Sequence, residues 1–529
     1  MDEFVGTWTN VTSDVRLVRH LLDLYFCWEY PTLASLSREH FLKDFEAGCS
    51  RYCSSLLVNS LLALGSRFSD RPEFRAKPDG HHTAGDEFFK EAQRLFLELE
   101  DHNEVTVVQA LGIMAIREAS FGRDLESRYY AGQSVRLAIE MGLHRVETYN
   151  EDDEESSTVR LITFWGAFAL DNAWSLTTGA LPHFSCAPRL PPKVKIIQEV
   201  EDSLWVPYTD DGLVSGHACE QPGHIRTVYN YFCELSEIVH ASLYRLYCAA
   251  RKPTSHDILE IYTKYLSWYD NIPDLMRFGT NFTPQVLFVH LYYHFAITLT
   301  FRPFVKLRIR GSRILPRQLC LQAADAIQGH LRSYSRLYSL RRTPSFVPYI
   351  IVVSSRIYLT VAASTIPGPP PRVQIHQQMQ GDQPHPTVRD LGHTTEALNR
   401  NIASLEDMSS CHCAALIGVN MLRYLTRAWD IYVGIKSSLE AGHVHTGYDP
   451  YPASLSAASG PNPFASRRPG QAGGGDDMTG IWALGATLGE SASDDEDPLQ
   501  RALSWPAPRQ TPFVVPTESM LEEAGFESL

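Results

Sequence analysis

The chain has 529 residues, 44% of them hydrophobic and 11% aromatic, which is enough apolar material for a sizeable core. Its formal net charge of −14 is the opposite of what neutralising phosphates requires, so global charge gives no support to direct DNA binding. No apolar run approaches the ~20 residues that span a bilayer, and Asp2 and Glu3 open the chain without an apolar stretch behind them. The expectation is therefore a soluble intracellular protein with no secretory signal.

Apolar residues recur at three- and four-residue intervals from the start. Residues 11–30 form the first candidate helix, with Val15, Val18, Leu22, Tyr25 and Phe26 on one face and Pro31 as its stop. A short turn of helix is predicted within 33–44, then a long apolar helix over 56–68 that the Asp70-Arg71-Pro72 turn ends. Residues 71–82, with Gly80 and His81-His82, read as an exposed loop. Segments 83–99 and 105–121 are predicted to be an antiparallel helix pair joined by a polar turn.

The stretch from Leu125 to Ser185 is the most informative. Ala131, Val135, Ala138, Ile139 and Leu143 share one stripe of a helix, while Arg128, Arg136 and Glu140 face outward. Gly142 falls at a C-terminal cap, with His144 and Arg145 near the negative end of the peptide dipoles. The acids Glu151 to Glu155 follow. Ser156, Ser157 and Thr158 are cap candidates for a second helix, in which Val159, Ile162, Gly166, Ala169, Ala173 and Leu176 repeat the helical period. Phe164, Trp165 and Phe168 widen its apolar face, which predicts a central helix covered on most sides.

Prolines at 188, 191, 192, 207 and 222 break the pattern over 186–224, a structured surface excursion or a flexible insertion. Helical periodicity returns over 225–248, 258–269, 284–301, 316–339 and 346–363, and again over 391–405 and 414–439 after a Pro-rich loop at 367–386. No alternation of strand length competes with it, so the fold class is all-α, a multi-helix array of packed antiparallel helices. From residue 441 composition shifts to Gly, Pro, Ser and Ala, with 12 acidic residues against 4 basic ones, which predicts a disordered acidic tail. Apolar islands sit among its acids at 478–488, at 499–505 and at Met520-Leu521 with Phe526. Such segments fold onto a partner groove, or they form a solvated tail with no partner.

These residues carry a resemblance. The order Ser127-Arg128-Tyr129-Tyr130, Gly142-Leu143-His144-Arg145, Phe164-Trp165, Asp171, Ser175 and Gly179 with Pro182 is similar to the middle homology region of fungal zinc binuclear cluster transcription factors. Leu21-Leu22 with Tyr25-Phe26, Trp28 and Pro31, then Leu61 to Gly65, Val107 to Leu111 and Phe301-Arg302-Pro303-Phe304 extend it in the same order. Many members have Gly-Arg-Pro where this chain reads Gly179-Ala180-Leu181-Pro182.

The resemblance implies a regulatory domain over 1–440, which restrains an activation segment in the tail, 441–529, and in some members senses a small molecule. It implies nuclear location and control of RNA polymerase II genes. A coactivator or the transcription machinery would engage the tail, with Trp482, Leu484, Leu503, Trp505, Leu521 and Phe526 as the activation-segment candidates. Trp165, Phe168 and Trp174 are candidate lining of an effector pocket. A homodimer is a further candidate assembly.

The family's DNA-binding module holds two zinc ions on Cys-x2-Cys pairs, because shared thiolates need tightly spaced ligands. No two of the ten cysteines here have that spacing. Zinc is thus expected only in a cysteine cluster that the chain lacks, through truncation or genuine loss, and DNA contact only through that missing module or indirectly. Cys49-x3-Cys53 and Cys411-His412-Cys413 have no further ligands beside them and read as ordinary thiols. His290-x3-His294 lacks the Glu of a zinc hydrolase, and Gly473 to Gly475 follows no strand, so neither points to catalysis. Asp171 is expected to hydrogen-bond a neighbouring helix end. The one basic concentration, Arg302, Lys306, Arg308, Arg310, Arg313 and Arg317 with no acid between them, reads as a solvated helix end and loop, with phosphate contact or nuclear import as the alternative; Lys306, Arg308 and Arg310, interleaved with Val305, Leu307 and Ile309, also fit one short extended piece. No catalytic or metal-binding residue is assigned. An all-α metabolic enzyme, or a helical scaffold without an effector, is the alternative.

Overall fold

The computed structural model describes residues 6–33, 36–71, 83–146, 153–185, 189–213, 220–248, 252–365, 388–428 and 518–528. Helix α1 (Val15–Trp28) starts where the Asp14 carboxylate accepts the amides of Arg16 and Leu17. It is followed by α2 (Arg38–Ala47), α3 (Ser55–Gly65), α4 (Asp86–Glu98), α5 (Val105–Ser120), α6 (Asp124–Glu140) and α7 (Glu154–Thr178). An excursion then carries α8 (Gln198–Glu201), β1 (Leu204–Trp205), β2 (Tyr208–Thr209), β3 (Gly212–Leu213) and β4 (Gln221–Pro222), with β1 paired to β4 and β2 to β3. Beyond it lie α9 (Ile225–Tyr247), α10 (Ser255–Asn271), α11 (Pro284–Phe301), β5 (Leu307–Ile309), α12 (Pro316–Leu337), α13 (Val347–Thr365), α14 (Val388–Met408) and α15 (Cys413–Ala428). The chain ends in α16 (Glu518–Glu523) and β6 (Phe526–Ser528).

Helices α3, α7, α11 and α13 are buried around most of their circumference and form the inner layer. Helix α3 packs on α1, α4 and α5, α5 on α6 and α7, α7 on α9, and α9 on α10 and α11. Helix α11 then packs on α12 and α13, α13 on α14 and α15, and α15 returns to α5, so the array closes on itself. One apolar cluster runs from Val18 to Leu425 and takes in Phe526, while a smaller one gathers around Trp165 and Phe168. The all-α expectation holds.

Some local expectations are corrected. Segments 83–99 and 105–121 are helices, but α3 bridges them, because it is mostly apolar and buried nearly all round and offers a surface to both. Helix α7 begins two residues before Ser156: Asp153 accepts the Ser156 amide, and Glu154 and Glu155 fill the first turn, where the helix dipole favours acids. The excursion over 186–224 is pinned and not free among its described residues. Burial raises the Asp210 carboxyl, but hydrogen bonds from His20, Ser69 and the Asp70 amide prevail and hold it at about 2, fastening the β2–β3 turn to α1. The loop expected at 71–82, the Pro-rich loop at 367–386 and residues 441–517 of the tail lie outside the described residues apart from Arg71.

One buried polar contact joins four distant segments. Arg67, 4% exposed, donates to Glu29 Oε2 at 2.9 Å, to the Thr343 carbonyl at 3.1 Å and to His412 Nε2 at 2.7 Å. Glu29 also accepts the Ser345 amide at 3.0 Å and the Ser345 hydroxyl at 2.9 Å. Burial and the Arg67 charge push His412 well below its ordinary range, so the ring is neutral and Nε2 can accept. Removing either partner of a buried ion pair strands the other charge, so Glu29→Gln or Arg67→Met should cost about 3–5 kcal/mol in urea unfolding. Glu87→Gln, in the exposed pair with Lys90, should leave the midpoint unmoved.

Three histidines set a second prediction. The His330 ring stacks on His290 at 5.3 Å and on His294 at 5.5 Å, and His290 Nε2 donates to the Met276 carbonyl at 2.8 Å. Burial, then the neighbouring rings, lowers His294 to about 4 and His330 to about 3. An unfolded histidine titrates near ~6.5. Below that pH the unfolded chain binds protons that the folded chain refuses, so the stabilisation is complete above ~6.5 and is lost as pH falls toward ~4. His330→Phe, which keeps the stack, should flatten this acid limb in unfolding midpoints taken between about pH 7 and about pH 5.

Candidate functional site

Two places on this framework could do chemistry or bind a partner: a cleft beside α7 and the surface that receives the C-terminus. Helix α6 stops at a left-handed Gly142 (φ 68°), with the Leu143 amide donating to the Ala138 carbonyl at 2.9 Å. Helix α7 stops at Gly179 (φ 68°), and the chain doubles back because Asp171 accepts the amides of His183 at 2.9 Å and Phe184 at 3.3 Å. The other Asp171 oxygen accepts from His183 Nδ1 at 2.7 Å. The expected partner of Asp171, a neighbouring helix end, is thus corrected to the loop after its own helix.

This return leaves a cleft of about 200 Å³ whose lining includes Arg128, Ala131, Asp171, Trp174, Ser175 and His183. The hydrogen bond to Asp171 raises the pKa of His183, and Arg128 opposes that rise across the cleft. Burial disfavours the Arg128 charge, with Asp124 only partly restoring it.

Of the three residues expected to line an effector pocket, the cleft takes Trp174 alone. Its indole N–H is buried without an acceptor. Trp165 donates to the Pro192 carbonyl at 3.0 Å and carries the Lys193 ammonium 5.1 Å from its ring, and Phe168 stacks on Phe164 at 5.8 Å. Both are buried in the smaller apolar cluster. Trp165 and Trp174 are nine positions apart, which at ~100° per residue puts them on opposite faces of α7. Asp171, Trp174, Ser175 and Thr178 share one face at the spacings of a single helical stripe. That spacing was the signal that could have found the cleft.

The second place corrects the expectation for the last residues of the tail, 518–528. Its last described piece, 518–528, is folded onto the array. β6 lies antiparallel to β5, with Ile309 opposite Phe526 and Arg308 opposite Glu527. Phe526 is 2% exposed and stacks on Phe304 at 5.3 Å. The Ser255 amide donates to the Ala524 carbonyl at 2.9 Å and the Arg310 amide to the Gly525 carbonyl at 3.0 Å. The Arg310 guanidinium reaches Glu522 at 2.7 Å. The acids that suggested a solvated tail here meet the basic strip at 306–310. Leu521 is partly buried against the core, and Trp482, Leu484, Leu503 and Trp505 lie outside the described residues.

The metal-like groupings are occupied by structure. His256, Asp257 and Glu260 lie close together, but Asp257 closes the capping box of α10 and pairs with Arg245 at 3.0 Å, while Glu260 pairs with Lys264 at 2.9 Å. Beside His412, burial pushes the Cys413 thiol up to about 12, which disfavours a thiolate ligand.

Residues 22–270 match the model of the fungal specific transcription factor domain. The chain carries this domain. The nitrogen assimilation transcription factor nirA of Emericella nidulans is 38% identical over 370 residues, covering 67% of this chain and 41% of that protein. The nitrogen assimilation transcription factor nit-4 of Neurospora crassa is 33% identical over 374 residues, covering 67% of this chain and 34% of its own length. An uncharacterized transcriptional regulatory protein of Schizosaccharomyces pombe is 24% identical over 368 residues, covering 66% of this chain and 58% of that protein. The chain therefore spans less than half the length of the first two relatives. No solved structure matches it. The cleft falls wholly inside the transcription factor domain, whereas the C-terminal contact joins Ser255 within it to Phe304 and Arg310 beyond it.

Gly525 gives this contact a clean test. Its φ is +83°, and a Cβ there would stand 2.2 Å from the Ser255 hydroxyl. Gly525→Val should detach β6 and speed hydrogen exchange at the Arg310 amide with the helical signal unchanged, whereas Glu523→Ala, at an exposed position, should do neither.

Proposed function

We propose that the chain is the regulatory part of a fungal transcription factor acting on RNA polymerase II genes in the nucleus. Its helical array, read as residues 1–440, withholds the end of the tail, 441–529, from a coactivator. The observation that carries this reading is the docked C-terminus. Leu521 and Phe526, two of the apolar residues expected to engage the transcription machinery, pack against the array, and Phe526 is buried in it. A partner groove would need those same side chains, so docking and activation compete. A small molecule biases that competition by binding one state more tightly than the other. In this reading DNA is contacted through a zinc-bearing cysteine cluster outside these residues or through another protein. The identities of 38% and 33% to two nitrogen assimilation factors support nitrogen-assimilation genes as targets.

The enzyme reading has one observation to answer, the Asp171–His183 pair in a cleft with Ser175. A nucleophilic hydroxyl must hydrogen-bond its base. Among the described residues His183 bonds Asp171 and no hydroxyl, and the relatives are transcription factors, so we read the pair as a positioning device.

Arg310→Glu, on the array side of the contact, reverses the attraction to Glu522 and Glu527 without touching the tail. Fused to a heterologous DNA-binding module, this variant should raise uninduced reporter output several-fold over the unaltered chain. Equal output from both, at equal protein levels and with exchange at the backbone amide of position 310 showing release, would overturn the proposed restraint.

A further inference from the structure

The docked C-terminus closes over one hydroxyl. Ser255 is the first residue of α10, and its amide donates to the Ala524 carbonyl at 2.9 Å. Its Oγ points at Gly525, close enough that a Cβ on that glycine would stand 2.2 Å away. Among the described residues the Ser255 hydroxyl holds no hydrogen bond, whereas the Thr254 hydroxyl beside it is taken by the capping box with Asp257. Ser255 stays partly exposed even with the tail docked.

What this contact cannot accept is bulk and negative charge on that oxygen. A phosphoryl group brings about two negative charges and needs space where Gly525 stands. The docked piece carries Glu522, Glu523 and Glu527, and Arg310, the cation of the contact, is held by Glu522 at 2.7 Å and by Glu527 at 4.0 Å. On α10 itself Asp257 pairs with Arg245 and Glu260 with Lys264. Crowding and like charge therefore act in the same direction, against docking. In the sequence the hydroxyl follows Arg251 and Lys252, which is the kind of charge pattern by which a protein kinase with an acidic peptide cleft selects its substrate.

We propose that Ser255 is a phosphorylation site whose phosphate expels the end of the tail from the array. It rests on the reading above, in which docking restrains the tail, and adds the covalent event that lifts the restraint. On a protein kinase the Ser255 oxygen attacks the γ-phosphorus of Mg²⁺-bound ATP. A new O–P bond forms as the bond to the departing ADP oxygen breaks, and the hydroxyl proton passes to the kinase's base. Docking crowds the hydroxyl, so the kinase takes the released state, and the phosphate then bars the return of Gly525.

Phosphoserine installed at position 255 of the full chain during translation separates the effect of the phosphate from the choice of kinase. Hydrogen exchange at the Arg310 amide should then run at least about tenfold faster than in the unaltered chain with the helical signal unchanged, and phosphatase treatment should restore it. A kinase that reads basic residues, the cyclic-AMP-dependent catalytic subunit with ATP, should label Ser255 several-fold faster in Gly525→Val than in the unaltered chain, and Ser255→Ala should lose that label. Unchanged exchange with the phosphate in place, or no label on Ser255 in folded Gly525→Val, would overturn the proposal. The two readings fail separately. If the phosphate frees β6 while reporter output stays flat, the site stands and the restraint falls; if Arg310→Glu raises output while the phosphate leaves exchange unchanged, the restraint stands and the site falls.

Discussion

A buried guanidinium constrains everything else in this molecule. Apolar helices pack without strong directional preference, so an array made of them has many arrangements of similar energy. Arg67 removes most of that freedom. Its charge is tolerated only where Glu29, the Thr343 carbonyl and a neutral His412 converge on it, and these come from the end of α1, the turn before α13 and the turn before α15. An arrangement that misplaced any of them would strand a charge in the core, which is far more costly than a poorly packed leucine. Both candidate sites therefore sit on a framework whose register is fixed from within.

The two sites use that framework differently. The cleft is short-range chemistry: one helix face, one doubled-back loop and one residue from the adjacent helix, all within α6–His183. The C-terminal contact is long-range, linking a strand edge at Leu307–Ile309 with residues more than two hundred positions later. Helix α11 stands near both, since α7 and α9 pack on it and it runs directly into the turn that carries Phe304. Helix α11 is thus the packed element that lies between α7 and the surface that receives Phe526.

The helices were legible because their signal is local. Pro284 to Phe301 is a mostly apolar run opened by a proline, and the structure gives a helix over those very residues. Periodicity says which residues face inward, but not which helix they face; α3, buried nearly all round, could have met anything, and it came to bridge α4 and α5. The pocket expectation failed for a related reason, since three aromatics of one helix were grouped by type although Trp165 and Trp174 point to opposite sides. The end of the tail misled through composition. Acids flanking Phe526 signalled solvation, and only the basic strip at 306–310, separated by two hundred residues of chain, turns them into cross-strand partners. The alternation at Leu307–Ile309 was visible in the sequence, but its mate was not.

The reach of Arg67 also exceeds the recognised domain span. The recognised family span closes at residue 270, yet Thr343, Ser345 and His412 lie beyond that limit. A fragment cut at the edge of the recognised span would keep Arg67 and Glu29 while leaving both without the amide, hydroxyl and imidazole that surround them here. The span matched by the domain model is thus shorter than the stretch of chain that supplies the surroundings of Arg67.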